Sequence, residues 1–164
     1  MKSLSKYLIL CIVVCLAEPI SAEAQTVSSI NFQELESIIS KNESEVLVLN
    51  FWATWCKPCV EELPAFETIS QNYGLKDVQV YLISMDFAKE LNRVQQYIEK
   101  KEIKSKVVLL DEPDYDSWIN KVDSSWTGAI PATVLIRKKE NKKEFYEQKM
   151  DIKGLQARIE NLLN

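Results

Sequence analysis

Apolar residues along this chain switch repeatedly between helical spacing and unbroken runs, and the switches mark out its elements. In "NFQELESIIS", Phe32, Leu35, Ile38 and Ile39 fall at helical spacing, with Asn31 placed as an N-cap. The run "EVLVLNFW" is apolar almost throughout, as a strand buried on both faces would be. A helix is expected from near Cys56 to near Gly74, bent at Pro64 because proline lacks the amide hydrogen. "VQVYLISM" (78–85) reads as the next strand and "KELNRVQQYIEKK" as a helix with Leu91, Val94 and Ile98 on its apolar face. "KVVLLD" (106–111) is a third strand and "DYDSWINKV" a short helix. "ATVLIRK" and "EFYEQ" form a hairpin around Lys139 to Lys143, and "DIKGLQARIENLL" closes the chain as a helix. Strands alternating with helices predict an α/β fold, a central sheet with helices on both faces, and the final hairpin makes that sheet mixed.

The pattern breaks at the N-terminus. Lys2 and Lys6 precede "YLILCIVVCLA", an uncharged run of 11 residues. Roughly 20 apolar residues are needed to cross a membrane, so the run has the length of a secretory core instead. Ala22 and Ala24 supply a cleavage pattern before Gln25. Residues 1–24 are therefore expected to be a signal peptide and 25–164 a single domain, placed in the periplasm or otherwise outside the cytoplasm. The alternative is an uncleaved N-terminal membrane anchor. A lipoprotein reading fits poorly, because Cys11 and Cys15 follow Leu10 and Val14, where a small residue is expected. The formal net charge of −4, with no basic block, leaves nucleic-acid binding without an electrostatic footprint.

Removal of the leader would leave Cys56 and Cys59 as the only thiols, in a chain with no histidine. A pair this close encloses a tiny loop and adds little as a staple, which favours working chemistry. At a helix N-terminus the first thiol would meet unpaired amides and the positive end of the helix dipole, which favour its thiolate. Cys59 lies about one turn on, behind it, and Pro58 suits the first helical turn. A bare CxxC also occurs in zinc and haem sites. Haem attachment needs a histidine where Val60 stands, and a closed zinc site needs four ligands. No metal and no cofactor is expected.

"NFWATWCKPC" resembles the active-site segment of the thioredoxin superfamily, in particular its exported TlpA/ResA-like thiol-disulfide oxidoreductases. "WTGAIPATVLI" (126–136) is similar to that family's second signature, and Pro64 matches the proline of its active-site helix. The resemblance implies a thioredoxin-like fold with one additional βα unit before the strand that follows a cis-proline. It implies that Pro131 is this cis-proline, facing the CxxC, with the Ile130 backbone presented to an extended substrate segment. An edge-strand proline is the plainer reading of Pro131. Asn50 departs from the buried, titratable aspartate of thioredoxins proper. Glu62, three residues past Cys59, matches an acidic residue of ResA-like proteins and is the candidate proton handler; a solvated first-turn acid is its other reading. Lys57 either adds positive charge near Cys56 or is simply exposed. Trp55 and Trp126 are candidates for the substrate surface, whereas Trp52 ends a buried run and belongs to the core. Near Gln148 to Met150 the family often has a glycine, and this chain has none.

The expected function is reduction of disulfides in client proteins, with Cys56 as nucleophile and Cys59 resolving the mixed disulfide. The resemblance implies a membrane electron donor as the second partner, and clients in cytochrome c maturation or general thiol maintenance. Two rivals remain open: the same site run as an oxidant, and a non-enzymatic module holding Cu(I) between the thiolates. A peroxide-reducing role is open to the fold, but the WCxPC segment argues against it.

Overall fold

A computed structural model describes residues 25–164, so the expected signal peptide, with Cys11 and Cys15, lies outside the described residues. The apolar run after Glu45 becomes β2 (Val46–Trp52), buried at all seven positions because it lies inside the sheet. On one side it pairs in parallel with β3 (Val78–Ser84), which pairs in parallel with β4 (Lys106–Leu110), and β4 with β1 (Ser28–Ile30). On the other side β5 (Ala132–Arg137) runs antiparallel to β2, and β6 (Lys142–Tyr146) antiparallel to β5. The six-stranded sheet has the order β1-β4-β3-β2-β5-β6, the mixed sheet expected from the pattern. The additional unit is β4, inserted between β1 and β3.

Helices α1 (Phe32–Lys41), α2 (Lys57–Asn72), α3 (Leu91–Lys100), α4 (Ile119–Val122) and α5 (Ile152–Leu163) flank the sheet. Alternation along β2 decides what each face receives. Asn50 and Trp52 point towards α2 and α3, where Asn50 meets Glu62 and the Trp52 ring lies 5.4 Å from Tyr97. Phe51 points the other way, 4.7 Å from the Trp126 ring and 6.2 Å from Trp118, which stacks in turn on Phe32 of α1 at 5.5 Å. Helix α1 starts with a complete capping box: Asn31 accepts from the Glu34 amide and Glu34 accepts from the Asn31 amide, both at 2.9 Å.

Three local differences separate pattern from structure. Strand β1 was not expected, since its three residues "SSI" carry one apolar side chain. The segment expected as one helix over 114–122 divides into a 3-10 turn at Tyr115–Ser117 and the four-residue α4. The second hairpin strand starts at Lys142 rather than Glu144. A 3-10 turn at Lys138–Glu140 and a left-handed Asn141 (φ 51°) close the connection early, and Arg137 pairs directly with Lys142. Helix α2 includes Pro64, as the expected helix from near Cys56 to near Gly74 does. Among the described residues no helix is long and apolar enough to cross a membrane.

Candidate active site

The site forms where β2 gives way to α2. After Trp52 the chain turns through Ala53, Thr54 and Trp55, and the Cys56 amide donates to the Ala53 carbonyl at 3.1 Å. Cys56 is the N-cap of α2, and its Sγ accepts from the Cys59 amide at 3.3 Å. The two cysteines are joined as a disulfide. Cys59 is wholly buried and Cys56 reaches the surface with 6% of its area, so an approaching group meets Cys56 first. When the pair is reduced, the unpaired amides and dipole of the helix start favour a thiolate at Cys56.

The facing wall comes from the segment before β5. The Ile130–Pro131 peptide is cis, and the Ile130 carbonyl oxygen lies 3.8 Å from Cys56 Sγ. Pro131 is buried and stands immediately before β5, which lies between β2 and β6, so it is not an edge-strand residue. Ile130 is half-buried, and among the described residues no hydrogen bond engages its amide.

Glu62 lies one turn into α2 and is 2% exposed, which removes the reading of a solvated acid. One carboxylate oxygen accepts from Asn50 Nδ2 at 2.7 Å and the other from the Met150 amide at 2.7 Å. Asn50 also donates to Thr133 Oγ1 at 3.2 Å, so the network spans β2, β5, α2 and the segment before α5. Burial raises the Glu62 pKa, and the bonds from Met150 and Asn50 counter only part of that rise. The neighbouring Glu61 is exposed and paired with Lys149 at 2.6 Å.

The remaining expected residues divide by exposure. Trp55 is 59% exposed beside Cys56, while Trp52 is fully buried as expected. Trp126 is 4% exposed and packs against Phe51, Trp118 and Phe145, so it supports the groove from beneath instead of lining it. Lys57 and Pro58 are both exposed in the first turn of α2, and Lys57 lies close enough to Glu61 to help lower that carboxyl's pKa.

Two acids escaped the sequence reading. Asp86, 2% exposed just beyond β3, accepts from the Thr54 amide at 2.9 Å, the Thr54 hydroxyl at 2.5 Å and the Ser84 hydroxyl at 2.8 Å. It fixes the turn that delivers Cys56 to the helix. The pairing Trp52↔Ser84 puts Thr54 level with Asp86, and an acid two residues beyond a buried strand was the available signal. Glu147, after β6, accepts from the amides of Thr127 and Ala129 and from the Thr127 hydroxyl. Nothing local in the sequence announces that contact. Among the described residues no group of three or more Cys, Asp or Glu side chains is placed to hold a metal ion.

Residues 20–143 match the AhpC/TSA family. The thiol-disulfide oxidoreductase ResA of Oceanobacillus iheyensis is 36% identical over 62 residues, covering 38% of this chain and 31% of that protein. ResA of Halalkalibacterium halodurans is 29% identical over 104 residues, covering 63% of this chain and 54% of that protein. The chain thus spans less than two thirds of the length of these curated relatives. Among solved structures, a thioredoxin-related protein from Neisseria meningitidis serogroup B superposes with a TM-score of 0.67 at 18% identity, over 76% of this chain and 89% of that one. The fold is that of the thioredoxin-like proteins.

Proposed function

Because the chain belongs to the AhpC/TSA family and carries the Cys56–Cys59 disulfide at the mouth of a thioredoxin-like sheet, we propose that it is an exported thiol-disulfide oxidoreductase that reduces disulfides in client proteins. The observation that carries this reading is the Cys56–Cys59 disulfide at the start of α2, with Cys56 set against the carbonyl that precedes a cis-proline. In the reduced protein the Cys56 thiolate attacks one sulfur of a client disulfide. That S–S bond breaks, its other sulfur leaves as a thiolate and takes a proton, and a mixed disulfide joins client to Cys56. Cys59 then gives up its proton, with Glu62 as the acceptor, and attacks Cys56 Sγ. The mixed disulfide breaks, the second client thiol leaves, and the Cys56–Cys59 bond re-forms with two electrons delivered to the client. A membrane electron donor returns the pair to the dithiol.

Buried Glu62 supports the proton-handling step: a carboxyl whose pKa burial raises above the ordinary carboxylate value is better matched to receive a thiol proton. Export rests on the charged start, apolar run and Ala22-x-Ala24 pattern of residues 1–24. The test is capture of clients from an extracytoplasmic extract on the Cys59→Ser variant, which lacks the resolving thiol. Covalent, reductant-sensitive complexes should accumulate on it and be absent from Cys56→Ser. Equal yields from both variants would overturn the assignment.

A further inference from the structure

The reaction above makes no use of the segment between β6 and α5, although it touches both walls of the groove. At its start, the Glu147 carboxylate accepts from the Ala129 amide at 2.9 Å, the Thr127 amide at 3.2 Å and the Thr127 hydroxyl. At its end, Lys149 pairs with Glu61 at 2.6 Å and the Met150 amide donates to Glu62 at 2.7 Å. Four residues therefore tie the helix that carries the cysteines to the loop that carries Pro131. They occupy the stretch in which the sequence lacks the expected glycine.

The clamped loop has little else to hold it. Thr127, Gly128 and Ala129 are exposed, and Gly128 takes a positive φ of 91°. Two of its amides converge on one carboxylate, where charge strengthens each hydrogen bond. The only other side-chain hydrogen bond to the loop among the described residues comes from Trp126 Nε1, which donates to the Ala129 carbonyl at 2.8 Å. The next residue is Ile130, with its unengaged amide and its carbonyl near Cys56 Sγ. Partial burial works against the charge on Glu147, but the Thr127 and Ala129 donors hold its pKa below the ordinary carboxylate value, so the clamp is ionised at neutral pH.

We infer that Glu147 is a positioning residue for protein substrates: by clamping Thr127 and Ala129 it holds the Ile130 backbone at the separation from Cys56 that an extended, disulfide-bearing peptide requires. This rests on the exchange reaction proposed above. A peptide has to pair its main chain with Ile130 while its sulfur reaches Cys56, so a slack loop weakens docking and leaves the chemistry intact. A small disulfide with no main chain to pair is indifferent to the clamp.

The test compares the wild type, Glu147→Gln and Glu147→Ala, all reduced, on a disulfide-bonded peptide and on a small aromatic disulfide. Amide exchange at Thr127 and Ala129 is followed in parallel. In Glu147→Ala the peptide KM should rise about tenfold, because docking must then re-order a loop that three hydrogen bonds held in advance, with kcat nearly unchanged. Glu147→Gln, which keeps one acceptor, should fall between. Both variants should turn over the small disulfide at the wild-type rate, and the two amides should exchange faster while those of α2 do not. Unchanged peptide KM and amide rates would overturn the inference, as would equal losses on both substrates. If the wild type reduces neither disulfide, the exchange reading fails, and the amide rates alone decide whether Glu147 holds the loop.

Discussion

At Glu62, burial and hydrogen bonding pull the same carboxyl in opposite directions, and burial prevails. Its folded pKa is raised, so the folded state binds the proton more tightly than the unfolded chain does. Its contribution to stability is then complete below the ordinary carboxylate pKa and is lost as pH rises through the folded value. Glu62→Gln should abolish that slope, which urea midpoints measured from acid to neutral pH would show. The fold itself should tolerate the change. Asn50 Oδ1 is buried without a partner, so a flipped Asn50 offers the glutamine amide an acceptor while the glutamine oxygen keeps the Met150 amide. Disulfide exchange should nevertheless slow, by up to the about 10²–10⁴-fold that a general base contributes, with an altered pH dependence. Glu61→Gln, exposed on the same turn, is the control, and equal effects of both substitutions would remove Glu62 from the mechanism. Cys56, Cys59 and Pro131 were legible in the sequence because their motifs are local. Glu147 was not, because its partners lie 18 and 20 residues away and meet it only after the β5–β6 hairpin folds back.

Elements announced by long apolar runs were legible for a physical reason: β2 to β5 bury nearly every side chain, and burial demands apolar residues. Strand β1 is short and largely exposed, so its pairing with β4 depends on backbone bonds that leave no trace in composition. The turn between β2 and α2 is likewise held by polar atoms, through Asp86. Asp86→Ala would leave the Thr54 amide and two hydroxyls without their acceptor and should cost about 1–3 kcal/mol in urea unfolding. The reduced variant should also lose part of the preferential reactivity of Cys56, because the N-cap it occupies is no longer fixed. Beneath the opposite wall, Trp118 is 1% exposed and joins Phe32, Phe51 and Trp126. Trp118→Ala should destabilise the protein by about 3–5 kcal/mol. An unfolding midpoint unchanged from the wild type would show that the cluster carries no such weight.

For the molecule as a whole, α/β class and mixed sheet followed from the order of patterns, whereas the width of the groove depends on contacts between distant segments. The proposed placement outside the cytoplasm rests on the sequence pattern of residues 1–24. Mass spectrometry of protein made in a secreting host should find Gln25 at the new N-terminus, and an intact Met1 in the membrane fraction would replace cleavage with anchoring. The central claim is that Cys56 and Cys59 divide the work of exchange between them. It is tested most directly by mixing the reduced protein with a disulfide-bonded peptide, quenching with acid at successive times and locating each adduct by mass spectrometry. A transient peptide adduct on Cys56 alone, followed by one Cys56–Cys59 bond per peptide disulfide reduced, is the predicted result. An adduct first on Cys59, or an absence of exchange in a protein that binds Cu(I) tightly through both thiolates, would contradict it.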